Sequence, residues 1–288
     1  WMGEQKCREN TDRRNTIKKL KRLGFQAMQL SARRGRLIVN RHVPNLETAY
    51  LKGDAMRFGP RLDFIPQAER EYRQALEEAK RTGDEGFDAA TLSTYRTAHH
   101  NFLRTAIKNL YMHNRIEEAK YWFRMLVDKY PDKVYWYIGF DRETKTMEFE
   151  TFVLSEIEES LKRGNRDAQL ANLSGLIMEA YYRLAEGEED FALGRIRAAR
   201  AVYDRFSKKR AETDVGRVDL PEFRNIHDQA LLDVLKRMSQ TEPYMASALR
   251  ARLGLKEKEV PNPGLPNIMN PFREKKGAKG LESSPGSG

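Results

Sequence analysis

The chain has 288 residues, of which 40% are hydrophobic and 33% charged, with a formal net charge of +10. That is enough apolar content for one substantial core or two modest ones, which excludes a disordered chain. Charged residues break every apolar run well before the roughly 18 to 20 residues of a membrane-spanning helix, and one cysteine, Cys7, excludes an internal disulfide framework or multi-cysteine zinc site. A cytoplasmic location, or one peripheral to a membrane, fits this composition. Trp1 in place of a starting methionine points to an upstream segment that could carry a signal or an anchor.

The charge is not spread evenly. Residues 1–45 hold twelve Lys and Arg against three acids, a net of +9. Residues 256–288 hold six bases and four acids, a net of +2, so the stretch between is almost neutral. This divides the chain into a basic N-terminal arm (1–60), a helical repeat domain (61–255) and an extended tail (256–288). Within the arm, Ile17, Leu20, Ala27 and Leu30 fall near helical spacing with Lys18, Lys19, Lys21 and Arg22 between them, compatible with a short basic amphipathic helix. With Arg33, Arg34 and Arg36 it suits an acidic protein groove, nucleic-acid phosphates or an anionic membrane surface.

From residue 65 onward apolar residues recur at three and four and almost never alternate at two, which predicts successive helices. Pro66 starts one with the stripe Ala68, Tyr72, Ala75, Leu76 and Ala79, ended by Gly83. Asp88 caps the next, with Leu92, Tyr95, His99, Phe102, Ala106 and Leu110 on one face. Asn114, tolerant of the left-handed conformation, turns it into a third bearing Ile116, Ala119, Phe123, Leu126 and Tyr130, with Pro131 as terminator. The segment from Val134 to Phe140 is aromatic and β-branched enough for a strand, but a lone strand has no partner, so an extended connector or helical turn is expected. Further helices carry Phe149 to Leu161, Leu170 to Leu184, Ala192 to Phe206, Phe223 to Val234, and a last one from Pro243 to Leu253 before Gly254. The tail is rich in Pro, Gly, Ser and Lys, with Leu265, Ile268, Met269 and Phe272 spaced along it like side chains that fill a neighbour's pockets.

Residues 100–132 resemble a tetratricopeptide repeat, carried by Ala119, Phe123 and Pro131 and by Asn114 at the turn. Ile107 and Leu110 depart from that pattern in the first helix. Gly187, Ala192, Ile196 and Ala199 repeat the offsets of Asn114, Ala119, Phe123 and Leu126, without the proline. The resemblance implies an all-α, TPR-like solenoid that makes protein–protein contacts. The run from Asn101 to Pro131 also looks like the C-terminal part of large uncharacterised bacterial helical proteins, which implies no activity.

The sequence has no phosphate-binding glycine loop, dinucleotide fingerprint, GxSxG elbow or HExxH helix. His99 and His113 lie about 21 Å apart along one helix, too far to share a metal. His99 is expected to be a hydrogen-bonded residue at a helix interface. The acids Glu156, Glu158 and Glu159, and the run from Glu186 to Asp190, are expected to be structural, the latter capping a helix start. Of the aromatics Tyr121, Trp122, Phe123, Tyr135, Trp136 and Tyr137, most are expected in the core, with Trp122, off the Phe123 stripe, as an exposed protein-binding anchor and Trp136 as a second candidate. These residues point to a non-enzymatic scaffold or assembly subunit without cofactor or metal, bound to other protein subunits. The alternative is a nucleic-acid or ribonucleoprotein-associated subunit that uses the basic arm.

Overall fold

In the computed structural model the described residues are 16, 23, 26–39, 56–81, 89–134, 140–141, 146–161, 166–213 and 220–256. They are mostly helical. A first helix, α1 (26–34), leads through Gly35 into an antiparallel ribbon, β1 (Arg36–Val39) and β2 (Met56–Gly59), in which Leu37 faces Phe58. A 3-10 turn (Leu62–Phe64) then opens α2 (Ile65–Arg81), α3 (Ala89–Met112), α4 (Ile116–Lys129) and the short α5 (Pro131–Val134). After a second small ribbon, β3 (Phe140–Asp141) with β4 (Thr146–Met147), come α6 (Phe149–Ser160), α7 (Arg166–Ala185), α8 (Glu189–Thr213), α9 (Phe223–Thr241) and α10 (Pro243–Leu253).

The expected stripes are the buried faces. Tyr72, Tyr95, Phe102, Leu110, Ala119, Leu126, Val153, Ile157, Leu173, Ile177, Ala199, Val202, Leu231 and Val234 belong to one apolar core. Packing is chiefly between neighbours: α2 on α3, α3 on α4, α7 on α8, and α9 with α10, both of which also lie on α7. The α3/α4 and α7/α8 turns have the same construction. Asn114 (φ 62°) and Gly187 (φ 88°) are both left-handed. The Asn114 N–H donates to the Tyr111 carbonyl and the Arg115 N–H to Leu110, while the Gly187 N–H donates to Leu184 and the Glu188 N–H to Arg183. Each is a Schellman motif, which satisfies the orphan carbonyls of the first helix while reversing the chain.

Three expectations need correction. Of the segment 134–140 only the ends are described, 135–139 lying outside the described residues: Val134 closes α5, and Phe140 opens β3, which does have a partner in Met147. Its partner comes from just downstream, in a stretch with no strand pattern of its own. Pro131 ends α4 but also begins α5, as a proline at a first helical position can, because its missing N–H would have no partner there. The N-terminal arm is corrected too: its described part is not an extended segment but α1 and a ribbon, with Ala32 and Ile38 buried and the Arg61 N–H bonded to the Ala32 carbonyl. Residues 257–288 lie outside the described residues.

Several polar groups inside or at the edge of the core are paired between helices. Lys129 of α4 reaches Glu69 of α2 at 2.7 Å, Arg104 of α3 reaches Glu156 of α6 at 2.7 Å, and Arg205 of α8 reaches Glu158 of α6 at 3.2 Å. His99 is fully buried, stacked on Tyr72, with the Tyr130 hydroxyl 2.7 Å from its Nδ1. It is thus the interface residue that its stripe implies. Burial, helped by the charges of Lys129, His100 and Arg73, holds its pKa down at about 3. Burial likewise lowers His100 to about 4, against the pull of its bond to Asn101, and lowers His227 against the pull of Asp228.

Three glycine and alanine positions give opposite expectations. A Cβ on Gly194 would lie 2.3 Å from the Met112 carbonyl oxygen, so Gly194→Ala should destabilise by about 2–3 kcal/mol through overpacking. Ala119, fully buried between α3 and α4, should lose about 1–3 kcal/mol as Ala119→Leu. Gly175, on the exposed side of α7 with open space around it, should instead gain up to about 1 kcal/mol as Gly175→Ala. Melting temperatures of the three variants check these signs.

The histidines generate a pH dependence. Their folded pKa values lie below the unfolded value of about 6.5, so the unfolded chain takes up protons first as the pH falls. Stability present above that value should therefore be lost from about pH 6.5 down towards pH 4, each neutral buried histidine steepening the slope by about 1.4 kcal/mol per pH unit. Urea midpoints that stay constant across this range would contradict the assignment.

Candidate functional site

Gly194 lets α8 approach the C-terminal end of α3 without a side chain between them, so the two Schellman turns lie side by side. The ring of Phe191, in the first turn of α8, meets the His113 ring edge-on at 4.6 Å. The base of the arm ribbon and the residues after it, Pro60, Arg61 and Leu62, close the space from the other side. The result is a polar cleft of about 280 Å³, continuous at Arg36, His113, Glu188 and Phe191 with a neighbouring recess of about 220 Å³ under the ribbon.

Six arginines line these two spaces: Arg33, Arg36, Arg61, Arg115, Arg183 and Arg195. Arg36 forms a two-pronged bond with Glu188, at 2.7 and 3.0 Å. Arg115 holds Asp63 at 2.9 Å, Arg195 holds Glu179 at 3.1 Å, and Arg183 holds Glu186 at 2.9 Å. The guanidiniums of Arg195 and Arg183 also lie 4.8 and 5.5 Å from the Phe191 centroid, within cation–π range. His113 donates Nδ1–H to the Asn109 carbonyl at 2.7 Å. Burial drives its pKa down to about 4; the carbonyl bond pulls the other way, while Arg195, Arg36 and Arg115 push it lower still. His113 is therefore a neutral, fixed wall of a cleft whose field is positive where it sits. Four of its guanidinium forks are already held by internal acids.

The expected site residues fall in three groups. Arg33 and Arg34 are exposed on α1, and Arg36 is committed to Glu188 rather than free in an arm. Lys18, Lys19, Lys21, Arg22, Trp136, Leu265, Ile268, Met269 and Phe272 lie outside the described residues, as does Cys7. Trp122 is corrected: it is only 6% exposed and belongs to the core. It stands three residues after Ala119 and four before Leu126, so it shares their face of α4, and α4 buries a wider face than one stripe. Tyr121, packed edge-on against it, is the exposed aromatic.

The acidic run from Glu186 to Asp190 does more than cap. Glu189 and Asp190 stand in the first turn of α8, while Glu186, Glu188 and Glu189 reach Arg183, Arg36 and Arg252. The cleft residues His113, Arg115, Arg183, Phe191 and Arg195 carried one sequence signal, their nearness to the matched turn residues Asn114 and Gly187. A second polar chain, Tyr181 hydroxyl to His227 Nε2 at 2.6 Å and His227 Nδ1 to Asp228 at 3.1 Å, resembles acid–base machinery. All three residues are buried, and the chain ties α7 to α9. Among the described residues no group of His, Cys, Asp and Glu is placed to hold a metal ion, and no helix is long and apolar enough to cross a membrane.

The Arg36–Glu188 pair ties the arm to the α7/α8 turn. A double-mutant cycle with Arg36→Gln and Glu188→Gln should return a coupling of about 1 kcal/mol, at the upper end for a part-exposed pair because both prongs are made. A coupling indistinguishable from zero would mean that the ribbon is held by Ile38 and the backbone alone.

No protein-family model, curated protein or solved structure matches this chain.

Proposed function

We propose that this chain is a non-enzymatic scaffold or assembly subunit, built from degenerate TPR-like helical hairpins, that contacts other protein subunits. The observation that carries the reading is the agreement of the two turns. Asn114 and Gly187, 73 positions apart, make equivalent hydrogen bonds, and Ala119 and Ala192 that follow them are both fully buried. Repeated hairpins stacked on their neighbours generate extended surfaces, the usual use of such architecture. The cleft between the two turns supports the same reading, since guanidinium forks paired with exchangeable carboxylates suit docking of a polar peptide segment. In the helical domain, Tyr121 and Tyr244 are the large apolar side chains left exposed among the described residues, each 54% accessible, and they are natural contact anchors.

The test is affinity capture with the intact chain and with a Tyr121→Ala/Tyr244→Ala variant, whose fold should be unchanged because both rings are exposed. The intact chain should recover a defined partner in fixed stoichiometry, and the variant should lose at least about tenfold in affinity for it. A chain that migrates alone through native fractionation of its own cell extract overturns the scaffold reading. Tight duplex or single-strand binding at physiological salt, lost when Lys18, Lys19, Lys21 and Arg22 are neutralised, would replace it with the nucleic-acid reading.

A further inference from the structure

The arm presents an apolar face to solvent. In a ribbon with one wet face, polar side chains point to water and apolar ones inward. Here Ile38 is the buried residue of β1 and the half-exposed Arg36 is turned to Glu188, while Leu37 and Val39 point out at 51% and 41% exposure. Phe58, directly opposite Leu37, is 70% exposed. Helix α1 buries Ala32 while its Leu30, like Leu23 upstream of it, is more than half exposed. Of the seven large apolar side chains exposed among the described residues, five therefore lie in the arm. They stand in the segment that carries most of the chain's net charge, among Arg33, Arg34 and their neighbours.

We propose that this face of the arm docks on an anionic lipid surface, the apolar side chains entering the headgroup boundary and its arginines meeting phosphate and carboxylate headgroups. The choice of occupant follows from charge. The chain's own tail, at +2, and a second copy's arm, at +9, would both bring like charge to this face. Nucleic acid supplies the negative charge but no surface for Leu23, Leu30, Leu37 and Val39. An anionic bilayer supplies both. Long cationic side chains can lay their stems along the apolar boundary and keep their heads among the phosphates. The inference is independent of the scaffold reading, which rests on the helical hairpins.

Co-sedimentation of the full chain with phosphatidylcholine vesicles, with and without phosphatidylserine, tests it. The chain should pellet with the phosphatidylserine vesicles, remain in solution with phosphatidylcholine alone, and be released by raising the salt. Leu30→Asp with Leu37→Asp should reduce partitioning at least about tenfold while far-UV circular dichroism stays unchanged, since both side chains are exposed. Arg34→Gln, at a cation that lines neither the cleft nor the recess and leaves every apolar side chain in place, should also reduce it, by about fivefold. No pelleting with phosphatidylserine vesicles overturns the proposal and leaves the face to an acidic protein groove. Undiminished pelleting of the aspartate variant overturns it as well, because attraction would then be by charge alone and the exposed apolar face would have no part in it.

Discussion

The approach of α8 to the end of α3 is the constraint on which the rest of the structure depends. At Gly194 the two backbones come so close that no side chain can stand between them, and the Met112 carbonyl occupies the space. That contact sets the α7/α8 hairpin against the α3/α4 hairpin at their turn ends. Each turn in turn needs a left-handed residue, supplied once by Asn and once by Gly. The cleft with its arginines is what remains between two reversals brought this near, so the recess is a product of backbone geometry before any side chain is chosen.

Charge then locks the register. A hydrophobic face is tolerant of sliding and rotation, whereas Lys129 on Glu69, Arg104 on Glu156 and Arg205 on Glu158 are satisfied in one alignment only. The carboxylates of Glu69 and Glu156 are almost wholly buried, so a slip of one turn would leave them in apolar surroundings without a partner, a far larger penalty than the pairs are worth as surface interactions. The same logic applies to His227, held between Tyr181 and Asp228. These groups contribute specificity of packing more than raw stability.

The helices were legible in the sequence because their information is local. Stripes such as Tyr95, His99, Phe102, Ala106 and Leu110 announce their own inward face, and Asn114 marks a reversal whatever lies elsewhere. The β1–β2 ribbon was not legible, since Arg36 to Val39 is too short to show a period and its partner lies beyond an intervening segment. Trp122 was misplaced because a single stripe was assumed where α4 buries a wider face. The cleft was hidden for a different reason: Arg115, Arg183 and Arg195 read as ordinary surface charges until the approach at Gly194 gathers them around Phe191 and His113. Only the matched offsets of Asn114 and Gly187 hinted that two distant turns belong together.

The attachment of the last hairpin has a consequence for how the molecule opens. Helices α9 and α10 pack on each other and, beyond that, chiefly on α7. Among the fastenings in the described residues are the Tyr181–His227 bond within the interface, Phe223 against Tyr203 and Arg200 of α8, and the Arg252–Glu189 pair at the rim, where Arg252 lies against Gly187. A pair docked along one helix can detach as a unit while α3, α4, α6, α7 and α8 keep their mutual contacts. The amides of α9 and α10 then exchange with solvent through this partial opening, at a lower free energy than global unfolding, and form a separate cooperative unit. Their exchange rates then report on the strength of the Tyr181–His227 latch while the remaining helices stay protected.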